Sequence, residues 1–190
     1  MKLLLSGILS LWLLPDSPAA QTPASGRAPD PSARQVETYE SAVIDRKGNL
    51  RITTSDRRTI VVPKKGEQSS FRKPVLSADR TAVGAQADYP NCCTSYDIPL
   101  QLVVYADGTV HRFTGIGLPI FQWHFADGGS RVAFGQETVH FGCSVHYELR
   151  DIQSEQRLDS ADVPQPCGGG SGPPKTTIPR WVKALNAARQ

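Results

Sequence analysis

Past its first fourteen residues the chain has no apolar run long enough to cross a bilayer, so no membrane span is expected. It has no Cys-x-x-Cys, which removes the usual signal for a thioredoxin-like redox site. Neither Gly-x-Ser-x-Gly nor His-Glu-x-x-His occurs, so neither a nucleophile elbow nor a zincin helix is indicated. A large excess of charge of one sign is missing as well. The formal net charge is +3, and the basic residues are scattered apart from Arg57-Arg58 and Lys64-Lys65. A nucleic-acid partner normally needs a focused basic face, so none is expected.

What is present begins at the N-terminus, with MKLLLSGILSLWLLPDSPAAQTPA. Lys2 gives a positive start, Leu3 to Leu14 an apolar core, and Pro15 and Asp16 end it. Twelve residues of helix span roughly 18 Å, well short of a bilayer core of about 30 Å. A cleavable signal peptide over residues 1–20 is the expectation, with small residues at the cleavage point and no Cys there to carry a lipid. The protein is therefore expected to be exported, to the periplasm or the medium. Residues 21–35 are rich in Pro, Ala and Ser and read as a flexible lead. Residues 36–159 read as one β domain. Residues 160–190 read as a Gly/Pro-rich tail in which 179–188 is either a short docking helix or an unfolded segment with helical preference.

The central domain is strand-like. SAVIDR, LRITT and TIVVP are separated by turn residues at Lys47-Gly48-Asn49 and Ser55 to Arg58. Within PLQLVVYADGTVHRFTG, Asp107-Gly108 signals a type I′ hairpin. FQWHF, the turn Ala126 to Gly129, RVAFGQ and SVHYELRDI follow, for about nine or ten short strands in all. The pattern also repeats. Ser77-Ala78-Asp79 before TAVGAQ echoes Phe125-Ala126-Asp127 before RVAFGQ at an offset of 48 residues. Ser55-Asp56 before TIVVP echoes Ala106-Asp107 before TVHRF at an offset of 51. Such an echo points to a repeated four-stranded unit.

The segment WHFADGGSRVAF, with Trp123, Phe125, Asp127, Gly128, Val132, Ala133 and Phe134, followed by YELRD, resembles the WD40-like repeats of TolB-type β-propellers. VLSADRTAVGA resembles a degenerate second copy. The resemblance implies an all-β fold of about two propeller-like four-stranded repeats. Closed propellers usually have at least four blades. The repeats would therefore have to close by homo-oligomerisation, or the fold is a small β-sandwich or barrel.

Four cysteines, Cys92, Cys93, Cys143 and Cys167, suggest disulfides in an exported protein. Adjacent Cα atoms are only 3.8 Å apart, so the Cys92–Cys93 pair is expected to bond outward, one to Cys143 and one to Cys167. His140, His146 and Glu137 are the best zinc ligands on offer, but their spacing fits no established motif, and no metal or other cofactor is assigned. No catalytic residue is assigned either. Phe121, Trp123, Phe125, Phe134, Phe141 and Tyr147 form an aromatic cluster that reads as core or as a docking face. Tyr89 and Tyr96, in the loop DYPNCCTSY, join Trp123 as the candidate binding surface. Together these features favour a non-catalytic β-sheet module, interacting or structural, with a protein or peptide partner. The alternative is a small extracytoplasmic hydrolase or metal-binding protein.

Overall fold

The computed structural model describes residues 36–92, 95–139, 142–165 and 177–187. The expected signal peptide and flexible lead lie outside the described residues, as do Cys93, His140, Phe141 and Cys167.

Three antiparallel meanders follow one another along the chain. The first sheet holds β1 (Tyr39–Ile44), β2 (Leu50–Thr54) and β3 (Thr59–Val62). The middle sheet holds β4 (Ser70–Leu76), β5 (Ala82–Tyr89), β6 (Ile98–Ala106) and β7 (Thr109–Phe113), in that order. The third holds β8 (Ile120–Ala126), β9 (Arg131–Gln136), β10 (Ser144–Asp151) and β11 (Arg157–Pro164). One helix, α1 (Arg180–Ala187), comes last.

Turn chemistry explains the connections. Asp107 and Gly108 both take positive φ, 49° and 75°, as a type I′ hairpin between β6 and β7 demands. Asp127 at 49° and Gly128 at 73° do similar work in the 3-10 turn Asp127–Gly129 between β8 and β9.

Side chains alternate across each strand, and the alternation builds three apolar layers. On β5 and β6, Val83, Ala85, Ala87, Val103 and Tyr105 face the first sheet and meet Tyr39, Leu50, Ile52 and Val62. Ala82, Leu102, Val104 and Ala106 face the other way, with Phe113, and meet Ile120, Val132, Phe134 and Ile152. The far side of the third sheet presents Ala133, Val145, Tyr147 and Val163 to Val182 and Leu185 of α1. The Trp181 indole donates to Asp159 Oδ2 at 2.7 Å and so ties the helix to β11.

The fold is all-β apart from this helix, but it is not a propeller. The three sheets stack face to face, as a sandwich extended to a third layer, and no sheet closes on another to form a ring. The physical reason lies at the two ends of the stack. α1 covers the outer face of the third sheet. The outer face of the first sheet carries Arg51 and the exposed Val43 and Val61, with no apolar layer laid on it by the described residues. The echo at about 50 residues therefore records repeated meanders, not blades around an axis. The described residues hold eleven strands. The strand not expected is β11, which is mostly exposed and polar and turns only Ala161 and Val163 to the apolar layer.

Candidate functional site

A cleft forms between β4, an edge strand of the middle sheet, and β8, an edge strand of the third. Its geometry starts from a glycine. Gly84 of β5 has no side chain, and the Trp123 ring occupies the space above it; a Cβ there would run into the indole and into Phe125. Trp123 and Phe125 pack edge to face, with ring centroids 5.3 Å apart. Two residues along the same face of β5, Gln86 is almost fully buried at 1 % exposure. Its Nε2 donates to the backbone carbonyl of Ile120, clamping β5 to β8.

The cleft has a volume of about 250 Å³. Lys73 and Val75 of β4 line it with Gln86, and Phe121, Gln122 and Trp123 of β8 and Leu185 of α1 supply the rest. Lys73 sits at a break in the β4–β5 register, with φ of 49° just before Pro74. A second irregularity, between Ile120 and Gln122, takes Phe121 out of the β8–β9 ladder. Gln122 Nε2 donates to Tyr147 Oη and to Asn186 Oδ1, each at 3.1 Å. The Oε1 atoms of both Gln86 and Gln122 are buried and accept no hydrogen bond from any described residue. A buried polar atom left unpaired costs about 1–3 kcal/mol, so two in one cleft call for a ligand or water. The volume lies below the range of about 300–1,000 Å³ usual for drug-sized ligands and cofactors. It suits one or two side chains of a partner.

A second polar cluster lies on β10 and β11. Glu148 is fully buried and takes Arg150 Nε at 2.7 Å. His146 sits between two carboxylates, with Nδ1 2.7 Å from Asp162 and Nε2 3.2 Å from Glu148. Asp162 and Glu148 stand on opposite sides of the ring, so one metal ion cannot reach all three. Among the described residues no three His, Cys, Asp or Glu side chains gather as a metal site. His111 of β7 reaches Glu155 with Nδ1 at 3.1 Å, while its buried Nε2 has no partner among the described residues. These contacts tie β7 to the β10–β11 turn. Burial pushes the Asp88 carboxyl above the ordinary carboxylate range, against the opposing pull of the Arg72 guanidinium.

The three candidate binding residues are not brought together. Trp123 lies against the layer between the middle and third sheets. Tyr89 packs on the opposite face of the middle sheet and donates to Gln101 Oε1 at 2.7 Å. Tyr96 is exposed in the β5–β6 loop. The expected framework of two outward disulfides from the adjacent cysteines is corrected. Cys92 is an exposed thiol, and so is not half of such a bond. Cys143 is disulfide-bonded; Cys93 and Cys167 lie outside the described residues. Of the zinc trio, His140 lies outside them too, and both nitrogens of His146 are engaged as above.

Sequence reasoning found Trp123 but missed Gly84, Gln86, Lys73 and Val75. A signal was there: a glycine and a glutamine inside the small-residue run AVGAQA mark a strand that another chain segment approaches closely. Among the described residues no helix is long and apolar enough to cross a membrane. No known family model matches the chain, and no curated protein matches it significantly.

Proposed function

We propose that the chain is an exported, non-catalytic interaction module that holds a segment of a protein or peptide partner in the cleft beside Trp123. The observation that carries this reading is the pair of buried, unpaired amide oxygens of Gln86 and Gln122 next to an aromatic wall. Such a site offers apolar contact and acceptors in search of donors, which a peptide supplies. The test is selection of binders from a library of displayed random peptides, followed by titration against Trp123→Ala. Loss of at least about tenfold in affinity is expected, equivalent to roughly 1.4 kcal/mol. Binders indifferent to Trp123 would place the interaction elsewhere. Export is tested separately, by fusing residues 1–20 to a phosphatase active only outside the cytoplasm.

The alternative of a small hydrolase has one arrangement to draw on, His146 between Asp162 and Glu148. Turnover of a chromogenic ester that disappears in His146→Ala, with folding intact, would favour it over binding.

A further inference from the structure

Every open sheet has two edges, and proteins usually blunt them with charge, proline, bulges or short length. Five of the six edge strands here follow that rule. β1 has Glu40 and a break in register after Tyr39. β3 is four residues long and runs into Pro63. β4 carries Arg72, Lys73 and Pro74 around its own break. β7 is five residues with Arg112, and β11 carries Asp159, Asp162 and Pro164. β8 is the exception. Its sequence, IFQWHFA, has no Lys, Arg, Asp, Glu or Pro over seven residues, and its irregularity lies only at the first turn of the ladder.

The ground beside this edge is prepared. β8 packs against β6, and its side reaches β5 through the Trp123 seat on Gly84 and the Gln86 bond to Ile120. β4 is the edge strand beyond β5 in the middle sheet, and its Lys73 and Val75 face Phe121, Gln122 and Trp123 of β8 across the cleft. Sheet strands sit about 4.8 Å apart. One added strand beside β8 would therefore enter the cleft already described, whose far wall carries Lys73 and Val75.

We infer that β8 accepts an extended segment of a partner protein as a fifth strand of the third sheet. This rests on the binding role proposed above and names its mode. Backbone groups of the segment pair with those β8 directs away from β9. Side chains two apart share a face. On the face toward β4, an apolar side chain packs on Val75 and Trp123, and a carboxylate meets Lys73, the one charged side chain among the described residues that line the cleft. A donor on the same face supplies the Gln86 oxygen.

The probe is the tightest peptide selected from the displayed random library, made in three forms: unchanged, N-methylated at alternate backbone amides, and with its acidic residue replaced by lysine. Calorimetry with the purified full chain gives affinity, and amide exchange by NMR gives the site. Strand addition predicts slowed exchange of alternate β8 amides, and an affinity loss of at least about tenfold from methylation in one register but not the other. It also predicts that Lys73→Glu weakens the unchanged peptide and strengthens the lysine form. Lys73 is exposed, so this variant keeps the fold if Trp123→Ala does not. Binding that needs Trp123 but ignores both methylation registers overturns strand addition and leaves the binding role standing. Failure of every selected peptide to bind overturns both. Dimerisation of the chain through β8, blocked by Phe121→Lys and competing with the peptide, overturns the partner-protein assignment in favour of a second copy.

Discussion

The two faces of the middle sheet are both buried, yet they are built differently. Toward the first sheet, β5 and β6 present Val83, Ala85, Ala87, Val103 and Tyr105, and the opposing side chains Tyr39, Leu50, Ile52 and Val62 complete an apolar layer. Toward the third sheet, the same two strands alternate Ala82, Leu102 and Val104 with Gly84 and the buried Gln86. His111 joins them from β7, and Gln136 and Glu148 lie buried in the third sheet itself. An apolar layer is held by area alone and tolerates small shifts. A layer with buried polar groups is stable only where each finds a partner. Gln136 does, bonding Thr114 O, Leu118 O and Ile116 N and so pinning the β7–β8 loop. Gln86 Oε1 and His111 Nε2 do not. The first layer is adhesive, and the second is where the protein keeps unused hydrogen-bonding capacity.

The comparison breaks if the two layers respond alike to truncation. Phe134→Ala should cost about 3–5 kcal/mol and Leu50→Ala about 2–5 kcal/mol by denaturant titration, since both side chains are fully buried. Only Phe134→Ala should move the Trp123 indole resonance, because Trp123 packs on that layer alone. Equal displacement by both would show one cooperative core with no division of labour.

Removing one charge from the polar side comes next. Glu148→Gln leaves Arg150 and His146 without their buried carboxylate. A loss of about 3 kcal/mol is expected, measured as a fall in the denaturation midpoint at neutral pH. A neutral outcome would mean that the cluster is solvated and that the polar layer carries no strain of its own.

A smaller effect should come from Gly84→Ala. The added methyl meets the Trp123 ring, and overpacking of this kind costs about 1–3 kcal/mol. Its use is diagnostic: the indole must move out of its seat, so the cleft should change shape while the first layer keeps its resonances. Unchanged Trp123 signals would show that the seat is loose.

Much of the local architecture was legible in the sequence, and the reason is that hairpins are local. Asp107-Gly108 marked its turn because both residues had to take positive φ. Alternating apolar residues marked β2, β6 and β9 for the same kind of reason. The arrangement of the sheets was not legible. Whether repeated meanders close into a ring or stack in layers depends on which faces meet, and those contacts join residues far apart in the chain. Trp123 sits on Gly84, 39 positions earlier, and Gln86 bonds a carbonyl 34 positions later. The resemblance to propeller repeats was carried by residues of the β8–β9 hairpin, which report the hairpin and not its neighbours. An even cysteine count invited a full set of bonds, but the direction of each Cβ, which decides pairing, is not written in spacing.

The smallest effect sharpens the comparison through pH. His124 lies on the face of β8 that carries Gln122, away from Trp123, and its Nε2 is buried without a partner among the described residues. Burial disfavours the imidazolium and holds its pKa below the ordinary 6.5. In the unfolded chain the imidazole takes a proton at that ordinary value. Between the depressed folded value and 6.5, the unfolded state therefore binds more protons, and stability rises with pH. The contribution is fully present above 6.5 and is lost as pH falls through the window below it. The denaturation midpoint should accordingly drop on acidification from about pH 7.5 to about pH 5.5, before most carboxylates titrate. His124→Gln should flatten that slope while leaving the midpoint at the upper end nearly unchanged. A slope that survives the substitution would have to come from a group other than His124.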